Sequence, residues 1–115
     1  GGRAVIANKE SGVLELTDCE IQLREMVDGY AANVRSQKLE ADEAGEYSVK
    51  YTIDRDGRYR SVALMLAGGG PVIWLDTGDQ EITGYWGADK YKALIYPDEY
   101  DYLDDYWEEQ YKCLS

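Results

Sequence analysis

The chain has 115 residues, of which 44% are hydrophobic and 30% are charged, a composition typical of one globular domain spanning residues 1–115. Asp and Glu outnumber Lys and Arg by 23 to 12, so the net charge of −11 disfavours nucleic acid and anionic membranes as direct partners. The absence of histidine excludes Ser-His-Asp and Cys-His catalysis and removes the commonest metal ligand, and no apolar run reaches the ~18 residues of a transmembrane helix.

The first third of the chain predicts one helix. A short apolar run over residues 4–7 indicates a strand or an extended arm. Thr17 and Glu20 have the spacing of a capping box, which marks a helix start. A helix over residues 18–37 is then predicted, weakened by Gly29, because apolar side chains recur at helical spacing at Leu23, Met26, Val27, Tyr30 and Val34.

The middle of the chain predicts an antiparallel meander of three to five strands. Residues 41–45 form a polar break, after which apolar and polar residues alternate over 47–54, as in a half-buried strand. Asp56-Gly57 is a hairpin signal. Further strands are predicted over residues 58–66, 72–76 and 81–86, and a fifth over 90–95, each separated from the next by turn residues.

The last predicted element is a helix that begins at Pro97, a residue suited to the first helical turn. Asp98 and Glu99 follow, and carboxylates are favourable at a helix N-terminus. The apolar stripe of this helix comprises Tyr100, Leu103, Trp107 and Leu114. The sequence therefore predicts an α+β fold with an N-terminal helix, an antiparallel meander and an acidic C-terminal helix.

The C-terminal helix concentrates the charge. Between residues 97 and 112 it has seven acids against Lys112 alone, a net charge of −6. Carboxylates three and four residues apart on one face lie about 5–6 Å from each other, which approaches the spacing of phosphates along a nucleic-acid strand. Tyr102 and Tyr106 are expected on the acidic side or its edge, as aromatic anchors. The predicted partner-binding residues are Asp98, Asp101, Tyr102, Asp104, Asp105, Tyr106, Glu108 and Glu109. The alternative is a solvated face with no partner.

One short motif resembles the hydrophobic-hydrophobic-Asp-Thr-Gly loop of retroviral-type aspartic proteases, namely Ile73-Trp74-Leu75-Asp76-Thr77-Gly78. That family has the loop near its start and a second apolar-apolar-Gly signature near its end. In this sequence only 37 residues follow Gly78 and the second signature is absent. We therefore interpret residues 76–79 as a β-turn.

Three further features have structural interpretations. The glycines at 68–70 lack the Lys-Ser/Thr ending of a phosphate-binding loop, so a turn is expected. Asp76, Asp79 and Asp89 do not have the ligand spacing of an EF-hand, and no metal or cofactor is expected. Trp74 and Trp86 are predicted to pack in the core against a helix, with an exposed ligand platform as the alternative.

The two cysteines, Cys19 and Cys113, lie near opposite ends of the chain in predicted helices. Free thiols in a reducing cytoplasm are expected, although one bridge between them would be the alternative.

The layout and the acidic-aromatic run at residues 96–109, YPDEYDYLDDYWEE, resemble the small acidic anti-CRISPR inhibitors of phages and mobile elements. The resemblance is one of architecture and charge, over residues 17–113. It implies a cytoplasmic protein of a bacterial host cell that occupies the DNA- or RNA-binding channel of a CRISPR effector nuclease, with acids standing in for phosphates.

Two other functions fit the same sequence. An immunity protein that neutralises a cationic nuclease toxin would also be small and acidic. An enzyme or a small-molecule-binding domain centred on Asp76, Asp79 and the sheet tryptophans would instead have a pocket between sheet and helix. A binding protein rather than an enzyme is expected, and the inhibitor and immunity interpretations both predict a basic protein surface as its partner.

Overall fold

A computed structural model describes residues 18–114, and its first element is α1 (Asp18–Arg35). The predicted arm at residues 4–7 and the capping Thr17 lie outside the described residues. The buried side chains Leu23, Val27, Ala31 and Val34 recur every three to four residues and so form one face of α1.

Helix α1 ends two residues before the predicted boundary. Gln37 has a φ of 58°, in the left-handed region, which takes the chain out of the helix. The N–H groups of Lys38 and Leu39 both donate to the carbonyl of Asn33, at 2.8 and 3.3 Å, and so satisfy the helix C-terminus.

The described residues contain one antiparallel sheet in the order β1-β2-β3-β4-β5, so every strand pairs with its neighbour in sequence. The strands are β1 (Ser48–Ile53), β2 (Tyr59–Ala67), β3 (Val72–Asp76), β4 (Glu81–Trp86) and β5 (Asp89–Leu94). The prediction of an α+β fold with an antiparallel meander is confirmed, and the meander has five strands. The predicted turn at residues 76–79 is confirmed as well.

The core lies on one face of the sheet, between the strands and all three helices. One apolar row crosses the five strands in register: Val49, Leu64, Leu75, Ile82 and Ala93. Helix α1 packs on β4 and β5, while α3 (Pro97–Lys112) packs on β2. The other face of the sheet is covered by no helix within residues 18–114.

Gly84 allows α1 to approach the sheet closely. A Cβ at this position would lie 2.7 Å from Leu23 Cδ1 and 2.7 Å from Val27 Cγ2, well inside van der Waals contact. Ile82, Gly84 and Trp86, which alternate along β4, therefore lie on the face beneath α1.

The prediction of a polar break over residues 41–45 is wrong in part, because residues 41–44 form a helical turn, α2 (Ala41–Ala44). Ala44 is buried, and the Trp107 ring lies so close to Gly45 that a Cβ there would be 2.2 Å from Trp107 Cζ2. The turn therefore packs against α3, although its sequence has no apolar periodicity.

The prediction for Trp74 is also wrong, since its side chain lies on the open face of the sheet. Trp74 pairs with Met65 and Thr83, whereas its neighbours Ile73 and Leu75 are fully buried on the helical face. Trp86, by contrast, packs against the core as predicted. Cys19 and Cys113 are free, as expected, and both are exposed.

None of the helices between residues 18 and 114 combines the length and the apolar character needed to cross a bilayer.

Candidate functional site

The start of α3 is fixed by polar contacts. Pro97 occupies the first turn, and the N–H of Tyr96 donates to Glu99 Oε1 at 3.0 Å. The other oxygen of Glu99 lies 3.4 Å from Arg35 Nε, while the Arg35 guanidinium also donates to the Leu94 carbonyl at 3.0 Å. Glu99 is thereby engaged within the fold and ties α3 to α1.

The inner face of α3 is anchored by aromatic side chains with polar tips. Tyr100 and Leu103 are buried in the core. Trp107 Nε1 donates to the Ala41 carbonyl at 3.1 Å, and the Tyr102 hydroxyl donates to the Leu39 carbonyl at 2.7 Å. Burial raises the pKa of Tyr102, which disfavours ionisation of this donor hydroxyl at alkaline pH. These two bonds hold α3 against α2 and the segment before it.

Asp104 is turned into the fold. It accepts a hydrogen bond from the Tyr59 hydroxyl and another, at 3.1 Å, from Thr77 Oγ1. Thr77 is buried and accepts the Val62 N–H at 3.0 Å, so this contact reaches the sheet. Burial, together with the hydrogen bond to Asp104 and its charge, raises the pKa of Tyr59 well above the ordinary tyrosine value.

The structure divides the predicted site residues into two groups. Asp98, Asp101, Asp105 and Glu109 are exposed, and Glu108 is half-exposed beside Lys112, whose Nζ lies 3.8 Å from the carboxylates of Glu108 and Glu109. Tyr102 and Asp104 are half-buried, and the bonds just described engage both. Tyr106 is half-buried against Trp107, with ring centroids 5.0 Å apart.

The exposed carboxylates of α3 form a stripe. Asp98, Asp101, Asp105 and Glu109 follow each other at intervals of three and four residues, which places them on one side of the helix. At a rise of ~1.5 Å per residue the stripe is about 16 Å long, with adjacent Cβ atoms about 5–6 Å apart.

A second group of acids lies on the segment that packs against α3, and it was missed by sequence reasoning. Within residues 40–46 four carboxylates have no basic neighbour, and all four are exposed: Glu40, Asp42, Glu43 and Glu46. This composition was visible, but only the contact of α2 with α3 links the segment to the C-terminal helix. We call the four exposed acids of α3 and these four the acidic helical surface.

Net charge is strongly segregated in this molecule. Residues 40–46 have a net charge of −4 and α3 one of −6, which leaves −1 of the total −11 for all other residues. The carboxylates are spread along two elements, and no three acidic or cysteine side chains among residues 18–114 converge so as to hold a metal ion. The arrangement therefore suits an extended cationic surface better than a point charge.

The open face of the sheet has a hollow of about 270 Å³. Its lining combines aromatic rings with charged groups of both signs: Lys50, Ala63, Trp74, Asp76, Asp79, Glu81, Thr83 and Tyr85. This hollow includes Trp74 but not Trp86, and it lies on the face opposite the one where the small-molecule interpretation expects its pocket.

No protein-family model matches the chain, and neither a curated protein nor a solved structure matches it. The acidic helical surface and the open face of the sheet are the two features that bear on function.

Proposed function

We propose that this is a binding protein whose acidic helical surface occupies the cationic, nucleic-acid-binding site of a partner protein in place of nucleic acid. The observation that carries the proposal is the segregation of charge, with −10 of the net −11 on α3 and residues 40–46. Acids placed only for solubility would be expected on all sides of the molecule.

The carboxylates of the stripe destabilise α3 by repelling one another. Like charges three or four residues apart destabilise a helix by a few tenths of a kcal/mol per pair, and only Lys112, at one end of α3, offsets them. Packing of α3 through Leu103 and Trp107 compensates for this cost. The carboxylates thus belong to a rigid element, which lowers the entropy lost on binding.

The dimensions fit phosphate mimicry. A stripe about 16 Å long corresponds to roughly five phosphate steps of ~3.4 Å along one strand. The negative potential of such a surface accelerates encounter with a basic channel, and added salt weakens this attraction. Salt-sensitive binding to a site that ordinarily holds nucleic acid is the expected behaviour.

The resemblance to anti-CRISPR inhibitors makes a CRISPR effector nuclease the first partner to test. A cationic nuclease toxin is the second, in which case the protein would be an immunity protein. Both would present the same kind of basic surface to the same carboxylates, so the neighbouring gene discriminates between them: a toxin gene favours immunity and phage genes favour inhibition.

The proposal is tested by affinity capture from a bacterial lysate with three proteins of known charge. The first is the wild type. The second has three stripe acids neutralised by Asp101→Asn, Asp105→Asn and Glu109→Gln. The third has the same chemical changes at exposed acids elsewhere, Asp18→Asn, Glu25→Gln and Asp56→Asn.

We expect the wild type and the third protein to retain the same nucleic-acid-binding partner, and the second to lose it. Because the second and third proteins have the same net charge, a difference in capture between them depends on the position of the neutralised acids and not on their number. Equal capture by all three proteins would show that the stripe is only a solvated face.

A further inference from the structure

The backbone groups at the outer edge of β1 can be assigned one by one. The N–H of Val62, in β2, donates to Thr77 Oγ1 and its carbonyl accepts the Thr77 N–H, both at 3.0 Å, so the backbone groups of Val62 point towards β3. Because these directions alternate along an antiparallel strand, the groups of the next residue, Ala63, point towards β1 and its partner Lys50. The residues on either side of Lys50 therefore direct their N–H and C=O groups away from the sheet.

These outward groups belong to Val49 and Tyr51. Within residues 18–114 no other strand pairs with this edge, and no side chain forms a hydrogen bond to its backbone. Tyr47 is 63% exposed just before the strand, and Ile53 is 48% exposed at its end. A row of unpaired backbone groups between exposed apolar side chains is a template for a further strand.

The opposite edge of the sheet, at β5, is protected by basic side chains. The Leu94 carbonyl points outward there and accepts a hydrogen bond from the Arg35 guanidinium at 3.0 Å. Lys92, two residues earlier, has the same backbone orientation and is exposed, and lysines on an edge strand oppose pairing with another chain. In β1 the one lysine, Lys50, has its Nζ 4.8 Å from the centroid of the Trp74 ring in β3. Its ammonium therefore leans towards the middle of the sheet and leaves the edge open.

The charges at the two ends of β1 indicate which strand fits this edge. The end that begins with Ser48 adjoins residues 40–46, whose four carboxylates have no basic neighbour, a net charge of −4. Gly45 in this segment lies against Val49, since an added Cβ would be 2.9 Å from Val49 Cγ2. The other end continues into the hairpin at residues 54–58, where two acids and two arginines balance. The complementary strand is therefore basic at one end only, the end beside residues 40–46.

We propose that β1 is a docking edge, to which a protein partner adds an extended segment as a sixth, antiparallel strand. The antiparallel direction continues that of every strand pair in the sheet, and it puts the basic end of the segment at its C-terminus. Backbone hydrogen bonds to Val49 and Tyr51 supply affinity, while the alternate side chains and the basic end supply specificity. The proposal is independent of the proposed function, because it relies on the backbone of β1 and not on the stripe of α3.

The test uses the blocked peptide Val-Thr-Val-Thr-Val-Thr-Arg-Arg-Arg, whose valines lie opposite Ile53, Tyr51 and Val49 in the proposed register. One derivative is N-methylated at the second and third valines, whose N–H groups face β1. A matched derivative is N-methylated at the first and second threonines, whose N–H groups face away. A fourth peptide has glutamates in place of the arginines. The readout is hydrogen exchange of backbone amides in nuclear magnetic resonance spectra, with Lys50, which is already bonded to β2, as the internal control.

In the full chain we expect the amides of Val49 and Tyr51 to exchange rapidly. The parent peptide and the threonine-methylated derivative should slow this exchange saturably, whereas the valine-methylated derivative and the glutamate peptide should not. The protein with the Asp101, Asp105 and Glu109 changes should show the same protection by the parent peptide, because the stripe takes no part in strand pairing.

Four results would overturn the proposal. Slow exchange of the Val49 and Tyr51 amides in the free protein would show that another part of the chain, or a second copy, already covers the edge. Equal protection by the two methylated derivatives would reduce the interaction to attraction between charges. Protection by the glutamate peptide would exclude a basic strand as the occupant, and no protection by the parent peptide would exclude strand addition.

Discussion

The two faces of the sheet show how one meander can bear two unlike surfaces. The helical face buries an apolar row under α1 and α3, and α3 then presents a stripe of carboxylates on its outer side. The open face is uncovered within residues 18–114 and mixes lysines, acids and aromatic rings in near balance. The excess of negative charge thus belongs to the layer of helices, not to the sheet.

The largest expected effect is a difference in the loss of stability between substitutions at two adjacent residues of β2. Leu64 is fully buried on the helical face, whereas Met65 is half-buried on the open face. Leu64→Ala should lower the free energy of unfolding by about 2–5 kcal/mol, because it removes buried apolar contacts and leaves a cavity. Met65→Ala should cost well under half as much. Chemical denaturation measures both, and equal losses would contradict the assignment of the two faces.

The next contrast separates inward from outward acids of α3. Asp104→Asn should cost about 1–3 kcal/mol, since the charge-assisted bonds from Tyr59 and Thr77 are weakened. Asp105→Asn removes an exposed like charge and should be neutral or stabilising by a few tenths of a kcal/mol at low salt. Similar melting temperatures for the two variants would show that Asp104 is not engaged in the fold.

Two glycines should respond to alanine with opposite signs. Gly84→Ala should destabilise by about 1–3 kcal/mol, because its Cβ would collide with Leu23 and Val27 beneath α1. Gly29→Ala should stabilise by about 0.5–1 kcal/mol, because Gly29 lies within α1 with nothing inside 4 Å of an added Cβ. Thermal unfolding measures both. Equal tolerance at the two positions would mean that α1 does not approach β4 as described.

The smallest expected effect at neutral pH concerns two half-buried tyrosines, Tyr59 and Tyr102. Burial raises the pKa of Tyr59 and Tyr102 above 10.0, so the unfolded chain ionises first as pH rises. Stability should be constant with pH below about 10 on account of these groups, and should fall above it, through the raised pKa values. Tyr59→Phe should show a shallower fall in denaturation midpoints between pH 9 and pH 11. An unchanged slope in that variant would contradict the role of Tyr59.

Much of the fold follows from local signals. β3 and β4 were predicted at their observed bounds because Gly, Pro, Asp and Thr residues punctuate both ends. The face of the sheet on which Trp74 lies was not predicted correctly. Residues 72–75 are all apolar, so no alternation of apolar and polar residues reveals which of them point to the helices. The outcome depends on register with β2 and β4, which is a non-local property.

The composition of the candidate site could be predicted from the sequence, but the burial and the contacts of its side chains could not. Helical spacing predicts one acidic face of Asp98, Asp101, Asp105 and Glu108 with Asp104 and Glu109 beside it, whereas in the structure Glu109 completes the exposed stripe and Glu108 is half-exposed. Spacing could not show that Asp104 bonds to Tyr59 and Thr77, which are 45 and 27 residues away in sequence. The link between Trp107 and Ala41 spans 66 residues. Contacts at such separations decide which acids of α3 face the solvent and which other acidic segment packs against this helix.

The central proposal is tested most directly by competition, with the partner obtained by capture. Labelled nucleic acid is bound to the partner, and its anisotropy is followed as the acidic protein is added at low and at moderate salt. We predict complete displacement that becomes weaker as salt rises. The same displacement is expected from the protein with the Asp18, Glu25 and Asp56 changes, and none from the one with the Asp101, Asp105 and Glu109 changes. A stable ternary complex of partner, nucleic acid and acidic protein would contradict occupation of the nucleic-acid site.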